Sequence, residues 1–451
     1  MRKIQWLVCV LVLFMLPVSA SASPLNEVKS YVESLYVGEI EGDLQNATSV
    51  EQVIDMLDPY SAYFTAEEFE EFLNSIEMTS IGIGVVIEEH DKGIYIVDVI
   101  QGAGAEQAGI AIGDIITQID GKPTVHMTTS QASSLILGAE NTSVILTVLK
   151  PNGQSVTKTI VRKPFSLPNV SSKLLYGNVG YIGLASFSTD AAGLVKKALR
   201  ELTNSGATSF ILDLQNNGGG YVSAAEEVIG LFPNAKEAYT YEDASGSYII
   251  RAKRQSVQFP KDTRVLINNY SASASEMTAA ALVDQKAAIL YGEKSYGKGT
   301  MQSFYELSDG SFLKLTTARF SGPSTTTINQ VGVKPHVEAP GNALYKAHYD
   351  AVGAAFPAYQ ELASLKGVPT TKTFTVNFNL DLSTVPTEAI DLVKLGGEKV
   401  EADLEIQGSK VLVKPKQTLA SGGHYMLVVH PSIKGTNSIM KKGSYLYITV
   451  K

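Results

Sequence analysis

The chain has 451 residues, of which 44% are hydrophobic and 18% charged, a balance typical of a globular protein with about two to four domains. Its formal net charge is -8 and it contains no Lys- or Arg-rich block, which argues against a nucleic-acid partner. The only cysteine, Cys9, lies in an N-terminal apolar segment, so the rest of the chain excludes disulfides, thiolate metal sites and cysteine nucleophiles.

The first 22 residues have the pattern of an export signal. Two basic residues precede the short apolar run WLVCVLVLFMLPV, and the small residues ASA at 20–22 fit a cleavage site before Ser23. The apolar run is shorter than the roughly 20 residues of a membrane-spanning helix, and a retained anchor is the alternative. We therefore predict a signal peptide over 1–22 and an exported protein, located outside the cell, in the envelope or in the periplasm.

Residues 23–75 are predicted to form a helical segment. The stretch LNEVKSYVESLYV spaces its apolar residues at helical intervals, and SVEQVIDMLDPYSAYFTAEEFEEFLNSI does so again. Thr65 followed by Glu68 has the spacing of a capping box, which predicts a helix start at this point. These N-terminal helices are also candidates for a contact between copies of the chain in a homo-oligomer.

The pattern changes to short β runs over 76–163. IGIGVVIEEHDKGIYIVDVI indicates two strands around an Asp-Lys-Gly turn. GAEQAGIAIGDIITQIDGKPT indicates a short helix, a turn and a strand, and SVILTVLKPNGQSVTKTIVRK indicates a hairpin on Pro-Asn-Gly. We expect this region to be a small, mainly β domain.

Strands and helices then alternate over 164–345, which is typical of an α/β layer fold. A linker, helical at its start, is predicted over 346–370, and short strands at sandwich-like spacing predict an immunoglobulin-like β-sandwich over 371–451. The predicted fold class is therefore a multidomain α+β and α/β protein.

Five motifs occur in a fixed order along the first three quarters of the chain. They are LDPYSAYF (57–64), IGIGVVI with AGIAIGDIITQIDG, ILDLQNNGGG (211–220), SASASE (271–276) and GEKSYGKGTMQ (292–302). This series resembles the carboxyl-terminal processing proteases, S41-type serine peptidases with a Ser/Lys active site and an inserted PDZ domain. The resemblance implies a PDZ domain over 76–163, a protease core over 164–345, and an endopeptidase whose substrates are proteins or peptides with accessible C-termini.

A serine hydroxyl needs a base to become a nucleophile. None of the six histidines lies in a nucleophile-like context, and no G-x-S-x-G motif occurs. A desolvated lysine can replace histidine, because burial disfavours the ammonium form and lowers the pKa of a lysine. Lys294 and Lys298 are both nearby. Lys298 lies between two glycines, and the family pattern also selects it as the base. The same pattern places Gln302 at the position that orients the lysine. The alternatives are that Lys298 is a surface lysine and that Gln302 is a surface amide.

Three serines alternate in SASASE, and strand periodicity alone does not separate Ser271 from Ser273. Ser275 lies just inside the predicted helix, where capping or packing is its expected role. Ser273 lies between two alanines, which leave room for a substrate carbonyl, and the family motif selects the same residue. The alternative is that Ser273 is only a helix-capping hydroxyl.

An acyl-transfer site also needs donors for the oxyanion. The glycines of QNNGGG follow a buried strand and precede a helix, where backbone N–H groups meet the positive end of the helix dipole. The resemblance implies donors from Gly219 and Ala274. The alternatives are a phosphate-binding loop, which the missing Walker lysine argues against, and a plain tight turn.

The segment Ile81-Gly82-Ile83-Gly84 is the candidate nest for a peptide carboxylate in the PDZ-like region. We predict no metal site and no cofactor. Two rival functions remain open, namely a catalytically inactive exported adaptor built from the PDZ and β-sandwich modules, and another serine hydrolase such as an amidase acting on cell-wall peptides.

Overall fold

The computed structural model describes residues 24–324, 326–379, 381–435 and 439–451. The predicted signal peptide and its cleavage site lie outside the described residues. Within the described ranges, no helix is both long and apolar enough to cross a membrane. The chain divides into two compact units, one of Met1–Phe69 with Gln302–Thr317 and the other of Glu70–Met301 with Ala318–Lys451.

The N-terminal region begins with short helices and one short strand. The predicted capping box is present, because Thr65 N donates to Glu68 Oε2 at 2.8 Å and Glu68 N donates to Thr65 Oγ1 at 3.2 Å. The elements are α1 (Leu25–Leu35), a 3-10 turn (Leu44–Asn46), α2 (Val50–Ile54), β1 (Ala62–Phe64) and α3 (Ala66–Ile76).

The next region forms a six-stranded, mainly antiparallel sheet with two short helices. Alternate residues of its strands point inward, and Ile94, Ile96, Ile116 and Leu146 are fully buried. The sheet order is β3-β4-β5-β7-β8 with β6 beside β5, while β2 pairs with β9. The elements are β2 (Thr79–Gly82), β3 (Val85–His90), β4 (Gly93–Val99), α4 (Gly104–Gln107), β5 (Ile115–Ile119), β6 (Lys122–Pro123), α5 (Thr129–Ile136), β7 (Ser143–Leu149), β8 (Ser155–Val161) and β9 (Lys163–Ser166).

A second six-stranded sheet, of order β10-β11-β12-β15-β16-β19, forms the centre of the α/β region. All of its neighbouring pairs except β10 with β11 are parallel. The elements are β10 (Val170–Leu175), β11 (Val179–Leu184), α6 (Ala191–Asn204), β12 (Ser209–Asp213), α7 (Val222–Ile229), β13 (Glu237–Asp243), β14 (Gly246–Arg251), β15 (Arg264–Ile267), α8 (Ala274–Asp284), β16 (Ile289–Gly292), β17 (Thr300–Glu306), β18 (Phe312–Ser321) and β19 (Val337–Glu338).

The parallel pairing of β12 with β15 positions the candidate site. Leu212 is in register with Val265, so both strands end at the same edge of the sheet. The glycine loop follows β12, and the turn that carries Ser273 follows β15. In open α/β sheets such carboxyl ends of neighbouring strands form the usual place for a site.

The segment predicted over 346–370, a linker with a helical start, begins inside a buried helix, α9 (Ala343–Ala355). Ala347 and Val352 of α9 pack with Val179 and Leu266 of the central sheet. Helix α9 covers the sheet face opposite α6, α7 and α8 and contributes to the core, so the linker boundaries stay a prediction.

The C-terminal region is built from strands, as the sequence predicts. Its larger sheet contains β20 and β21 beside β30, followed by β28, β24 and β25. Both β20 and β21 run parallel to β30, so the immunoglobulin-like arrangement stays a prediction. The strands are β20 (Gln360–Glu361), β21 (Leu365–Val368), β22 (Phe374–Asn377), β23 (Leu382–Thr384), β24 (Ile390–Lys394), β25 (Lys399–Val400), β26 (Ala402–Gln407), β27 (Lys410–Pro415), β28 (His424–Val429), β29 (Lys434–Gly435) and β30 (Ser444–Val450).

The smaller unit has a core of its own. Val28, Val32 and Val53 of the two helices pack with Leu313 and Leu315 of β18. Strand β1 pairs antiparallel with β18 in the same unit.

Candidate active site

The nucleophile segment is a sharp turn between β15 and α8. Ser273 has φ 55° and ψ −112°, a conformation that is rare for any residue other than glycine. Helix α8 begins at the next residue, Ala274. Backbone strain of this kind persists only where the surroundings enforce it, and it is common at catalytic residues.

The structure separates the three serines by their surroundings. Ser271 is fully buried, and its Oγ donates to Leu214 O at 2.8 Å and accepts from Asn268 N at 3.0 Å. Ser275 is also fully buried, and its Oγ donates to Asn217 O at 2.8 Å. Ser273 is only half-buried. Of the three hydroxyls, the one at Ser273 is therefore the one that solvent reaches.

Sequence reasoning missed Glu276, which lies at the centre of this site with 0% exposure. Its Oε2 accepts from the backbone N–H of Ser273 at 2.9 Å and from that of Lys298 at 2.8 Å. Its Oε1 accepts from Gly297 N and from Ser295 Oγ, each at 2.6 Å. A buried carboxylate is tolerated only with such partners, and Ser273-x-x-Glu276 has the capping-box spacing that could have revealed it.

Lys298 lies in the loop between β16 and β17. It is half-buried, and the flanking residues Gly297 and Gly299 are buried, whereas Lys294 is exposed. A Cβ on Gly299 would lie 2.5 Å from Asn329 N, so only glycine allows the loop to approach that turn. Both lysines lie in this loop, and Glu276 connects the backbone of Lys298 to the turn that carries Ser273.

Gln302 lies on β17, four residues after Lys298 in the chain. Its Nε2 donates to Thr316 Oγ1 at 3.1 Å on β18. This bond connects the Gln302 amide to the neighbouring strand.

The glycine loop lies against the nucleophile. Gly219 has φ +112°, and a Cβ at this position would lie 2.9 Å from Ser273 Cβ and 3.1 Å from Ala274 N. Its own N–H donates to Asn217 Oδ1 at 2.9 Å. Asn217 is buried, and its Nδ2 donates to Leu184 O at 2.9 Å. The N–H predicted for the oxyanion is therefore engaged within the loop in this structure, while Ala274 lies at the first position of α8.

Asp213 ends β12 and supports the start of the glycine loop. Its Oδ1 accepts from Gln215 N and its Oδ2 from Tyr181 OH, both at 2.9 Å. Burial raises the pKa of the Asp213 carboxyl to about 6, against the lowering effects of those two hydrogen bonds and of Lys173. The carboxyl also lines an open cleft of about 290 Å³ with Gln215.

Four histidines of the larger unit hold structural positions away from Ser273. His336 Nδ1 accepts from Leu290 N at 3.0 Å, and His348 Nδ1 accepts from Gly396 N at 2.9 Å. His424 bonds Tyr447 OH at 2.8 Å, and His430 bonds Tyr359 OH at 2.9 Å. These contacts agree with the choice of a lysine rather than a histidine as the candidate base.

The four residues of the candidate PDZ nest lie in two different structural elements. Ile81 and Gly82 belong to β2 and pair with Pro164 and Lys163 of β9. The other half, Ile83-Gly84, lines a groove of about 40 Å³ between β3 and α5, together with Val85, Ile87, Ser133, Ile136, Leu137 and Phe165. The pairing with β9 thus places Ile81 and Gly82 in a separate strand, and the four-residue nest stays a prediction. Among the described residues, no group of three or more His, Cys, Asp or Glu could hold a metal.

Comparison with known proteins gives matches to both parts of the larger unit. The sequence profile of peptidase family S41 matches residues 178–339, and that of the PDZ domain matches residues 95–150. The chain is 34% identical over 317 residues to the carboxy-terminal processing protease CtpA of Bacillus subtilis, a match that covers 70% of this chain and 68% of that protein.

Two further proteins are similar to this chain. The chain is 30% identical over 371 residues to a probable CtpA-like serine protease of Staphylococcus haemolyticus, covering 82% of this chain and 69% of that protein. The solved structure of a photosystem II D1 C-terminal processing protease is 25% identical and covers 73% of this chain and 95% of that chain, with a TM-score of 0.46.

Proposed function

The chain belongs to the carboxy-terminal processing proteases of peptidase family S41, and from this we propose that it is an exported endopeptidase that uses Ser273, Lys298 and Gln302 to cleave proteins recognised through their C-terminal segments. The observation that carries the assignment is the strained turn at Ser273, which Glu276 connects to the backbone of Lys298. The enzyme class, a serine-type peptidase, is shared with the relatives described above.

In the proposed mechanism, Ser273 Oγ attacks the carbonyl carbon of the scissile bond and Lys298 Nζ takes the hydroxyl proton. The tetrahedral intermediate collapses, the amine leaves with a proton from Lys298, and the acyl group stays on Ser273. Water then attacks the acyl-enzyme with Lys298 again as the base, and the free carboxylate is released. Gln302 has the role of positioning Lys298.

The oxyanion is proposed to lie at the N-terminus of α8, where the Ala274 N–H and the helix dipole stabilise negative charge. For Gly219 to act as the second donor, its N–H has to leave Asn217 Oδ1. We therefore propose that the Ala274 N–H is the first donor to the oxyanion. The Gly219 N–H becomes the second donor when substrate binds at the turn.

A fluorophosphonate probe tests the assignment, because an activated serine displaces its fluoride and becomes phosphonylated, whereas an ordinary serine does not react. We expect the wild-type protein to be labelled and Ser273→Ala to be unlabelled, with both folded by circular dichroism. A folded wild-type protein that is not labelled and cleaves no peptide would favour the inactive adaptor. Cleavage of cell-wall peptides but not of proteins would favour the amidase.

The PDZ domain is proposed to bind a substrate C-terminus by strand addition. Among the described strands, β3 pairs only with β4, so its other edge faces α5 across the groove. Ile83 and Gly84 begin this edge, and a Cβ on Gly84 would lie 2.3 Å from Ala103 Cβ. Fluorescence polarisation should show binding of a peptide with a free C-terminal carboxylate and weaker binding of its amide; equal affinities would contradict this role.

Export is proposed from the signal-peptide pattern of residues 1–22 alone. Mass spectrometry of the protein recovered outside the cytoplasm should give an N-terminus at or next to Ser23. An intact N-terminus in the membrane fraction would indicate a retained anchor instead.

A further inference from the structure

Two tyrosine rings are exposed next to the candidate catalytic residues. Tyr270, three residues before Ser273, is 64% exposed, and Tyr296, two residues before Lys298, is 57% exposed. Each is the most exposed large apolar side chain in its loop. Their positions in the chain place one beside the nucleophile and the other beside the base.

The loops that carry these rings are in direct contact. Tyr296 N donates to Ser271 O at 3.1 Å, so the residue after Tyr270 is bonded to the backbone of Tyr296. Tyr270 N donates to Asn268 Oδ1 at 3.1 Å, which fixes the turn before the nucleophile. The two rings therefore extend from a single hydrogen-bonded pair of loops.

A third apolar side chain belongs to the same surface. Val331 is 47% exposed, and the preceding residue, Gln330, donates its N–H to Gly297 O at 2.8 Å. A Cβ on Gly297 would lie 3.3 Å from Val331 N, so the two backbones touch. We call the surface formed by Tyr270, Tyr296 and Val331 the aromatic rim.

The exposure of the aromatic rim does not arise from frayed loops. Ser271 and Ser295, which neighbour the two tyrosines in the chain, are 0% and 2% exposed. Single exposed apolar residues are common on proteins, but a group of them on neighbouring loops with buried backbone beside a site is typical of a binding surface. Tyrosine is favoured at such surfaces because a large ring is ordered at small entropic cost.

We propose that the aromatic rim binds an extended substrate polypeptide beside its scissile bond and gives the enzyme a preference for apolar side chains at that place. The inference rests on the proposed function, since it takes Ser273 and Lys298 as the reacting groups. An extended segment is the fitting occupant because the rim lies on the two bonded loops that carry Ser273 and Lys298, the groups that a scissile bond has to reach.

Two fluorogenic peptides that differ only in Leu or Ser at the residues flanking the scissile bond provide the test. For the Leu peptide, Tyr270→Ala and Tyr296→Ala should each raise KM on the order of tenfold with little change in kcat, the loss expected for one interface aromatic. For the Ser peptide the same variants should change KM by less than about twofold, and Tyr→Phe at either position should restore the wild-type KM because the ring carries the contact.

Tyr248→Ala is the matched control. Tyr248 is 48% exposed on β14, outside the rim, and its replacement should leave KM for both peptides at the wild-type value. If the folded Tyr270→Ala and Tyr296→Ala variants keep the wild-type KM for the Leu peptide, the proposed binding role of the rim is wrong. Labelling of the same preparations by the fluorophosphonate probe would show that the proposed function still holds. A shift in oligomeric state without a change in KM would make the rim a contact between copies and would also overturn the proposal.

Discussion

The backbone N–H groups of Ser273 and Lys298 donate to the same oxygen, Oε2 of Glu276, at 2.9 and 2.8 Å. This carboxylate is fully buried, so water does not compete for either bond. The relationship fixes the main chains of Ser273 and Lys298 relative to each other.

Glu276→Gln should impair both stability and activity. The carboxylate accepts four donors, and an amide would place its own NH₂ against two of them. We expect a loss of about 3 kcal/mol in the free energy of unfolding, measured in urea, because a charged, buried acceptor is removed. We also expect kcat of the folded fraction to fall on the order of 100-fold, since small displacements of reacting groups cost that much.

Glu201→Gln on the exposed side of α6 is the control for this substitution and should change neither quantity. Wild-type kcat in Glu276→Gln would show that the shared carboxylate does not position the two segments.

Alanine substitutions at the three serines should separate chemistry from packing. Ser273→Ala should abolish labelling and proteolysis. Ser271→Ala and Ser275→Ala should each lower the free energy of unfolding by about 1–2 kcal/mol, because each hydroxyl bonds a buried carbonyl. Their folded fractions should keep most of the activity, and full activity in Ser273→Ala would rule out the proposed nucleophile.

Gly219→Ala should inactivate the enzyme more than Gly218→Ala does. At Gly219 the backbone has φ +112° and a Cβ would lie 2.9 Å from Ser273 Cβ, whereas nothing lies within 4 Å of a Cβ on Gly218. We expect kcat to fall by roughly 10²–10³-fold at Gly219, the range seen when an oxyanion site is disturbed. Equal losses at the two glycines, compared by active-site titration and kcat, would mean that contact with Ser273 is not what makes Gly219 necessary.

The two lysines allow a paired test of the base. Lys298→Ala should reduce kcat by roughly 10²–10⁴-fold, the range for removal of a general base. Lys294 is exposed, and its replacement should cost little. The measurement is kcat on one peptide for both variants after their folding has been verified; similar losses would exclude Lys298 as the specific base.

The order of the elements could be predicted from the sequence because apolar periodicity and Gly or Pro turns act locally. The hairpin of β7 and β8 and the helix α6 followed from such patterns. The capping bond of Glu276 to Ser273 follows from local spacing, but its bonds to Gly297 and Lys298 could not be predicted, because these partners lie about twenty residues further along the chain. The packing of α9 against the central sheet could likewise not be predicted, since a helical pattern does not distinguish a linker helix from a helix that covers a sheet.

His348 connects α9 to the C-terminal region and should make stability depend on pH. It is fully buried, and its Nε2 bonds Tyr176 O at 2.8 Å while its Nδ1 accepts from Gly396 N. Burial is the main cause that lowers the pKa of His348 to about 4; the bond to Tyr176 O opposes the shift, and the charges of Lys173 and Arg264 add to it. The folded protein therefore holds this ring neutral over a range in which the unfolded chain protonates it.

The sign of the effect follows from proton binding. Between the unfolded pKa of His348, near 6.5, and its folded pKa, about 4, the unfolded state binds more protons, so stability falls as the solution is acidified. Asp213 acts in the opposite direction, because its raised pKa of about 6 favours folding at low pH and that contribution is lost as the pH rises from about 4 to 6. The fall in Tm between about pH 6.5 and 4 should therefore be smaller in His348→Gln than in the wild-type protein. It should be larger in Asp213→Asn. Thermal melts of both variants across this range decide the assignment, since parallel curves for His348→Gln and the wild-type protein would exclude His348 as the titrating group.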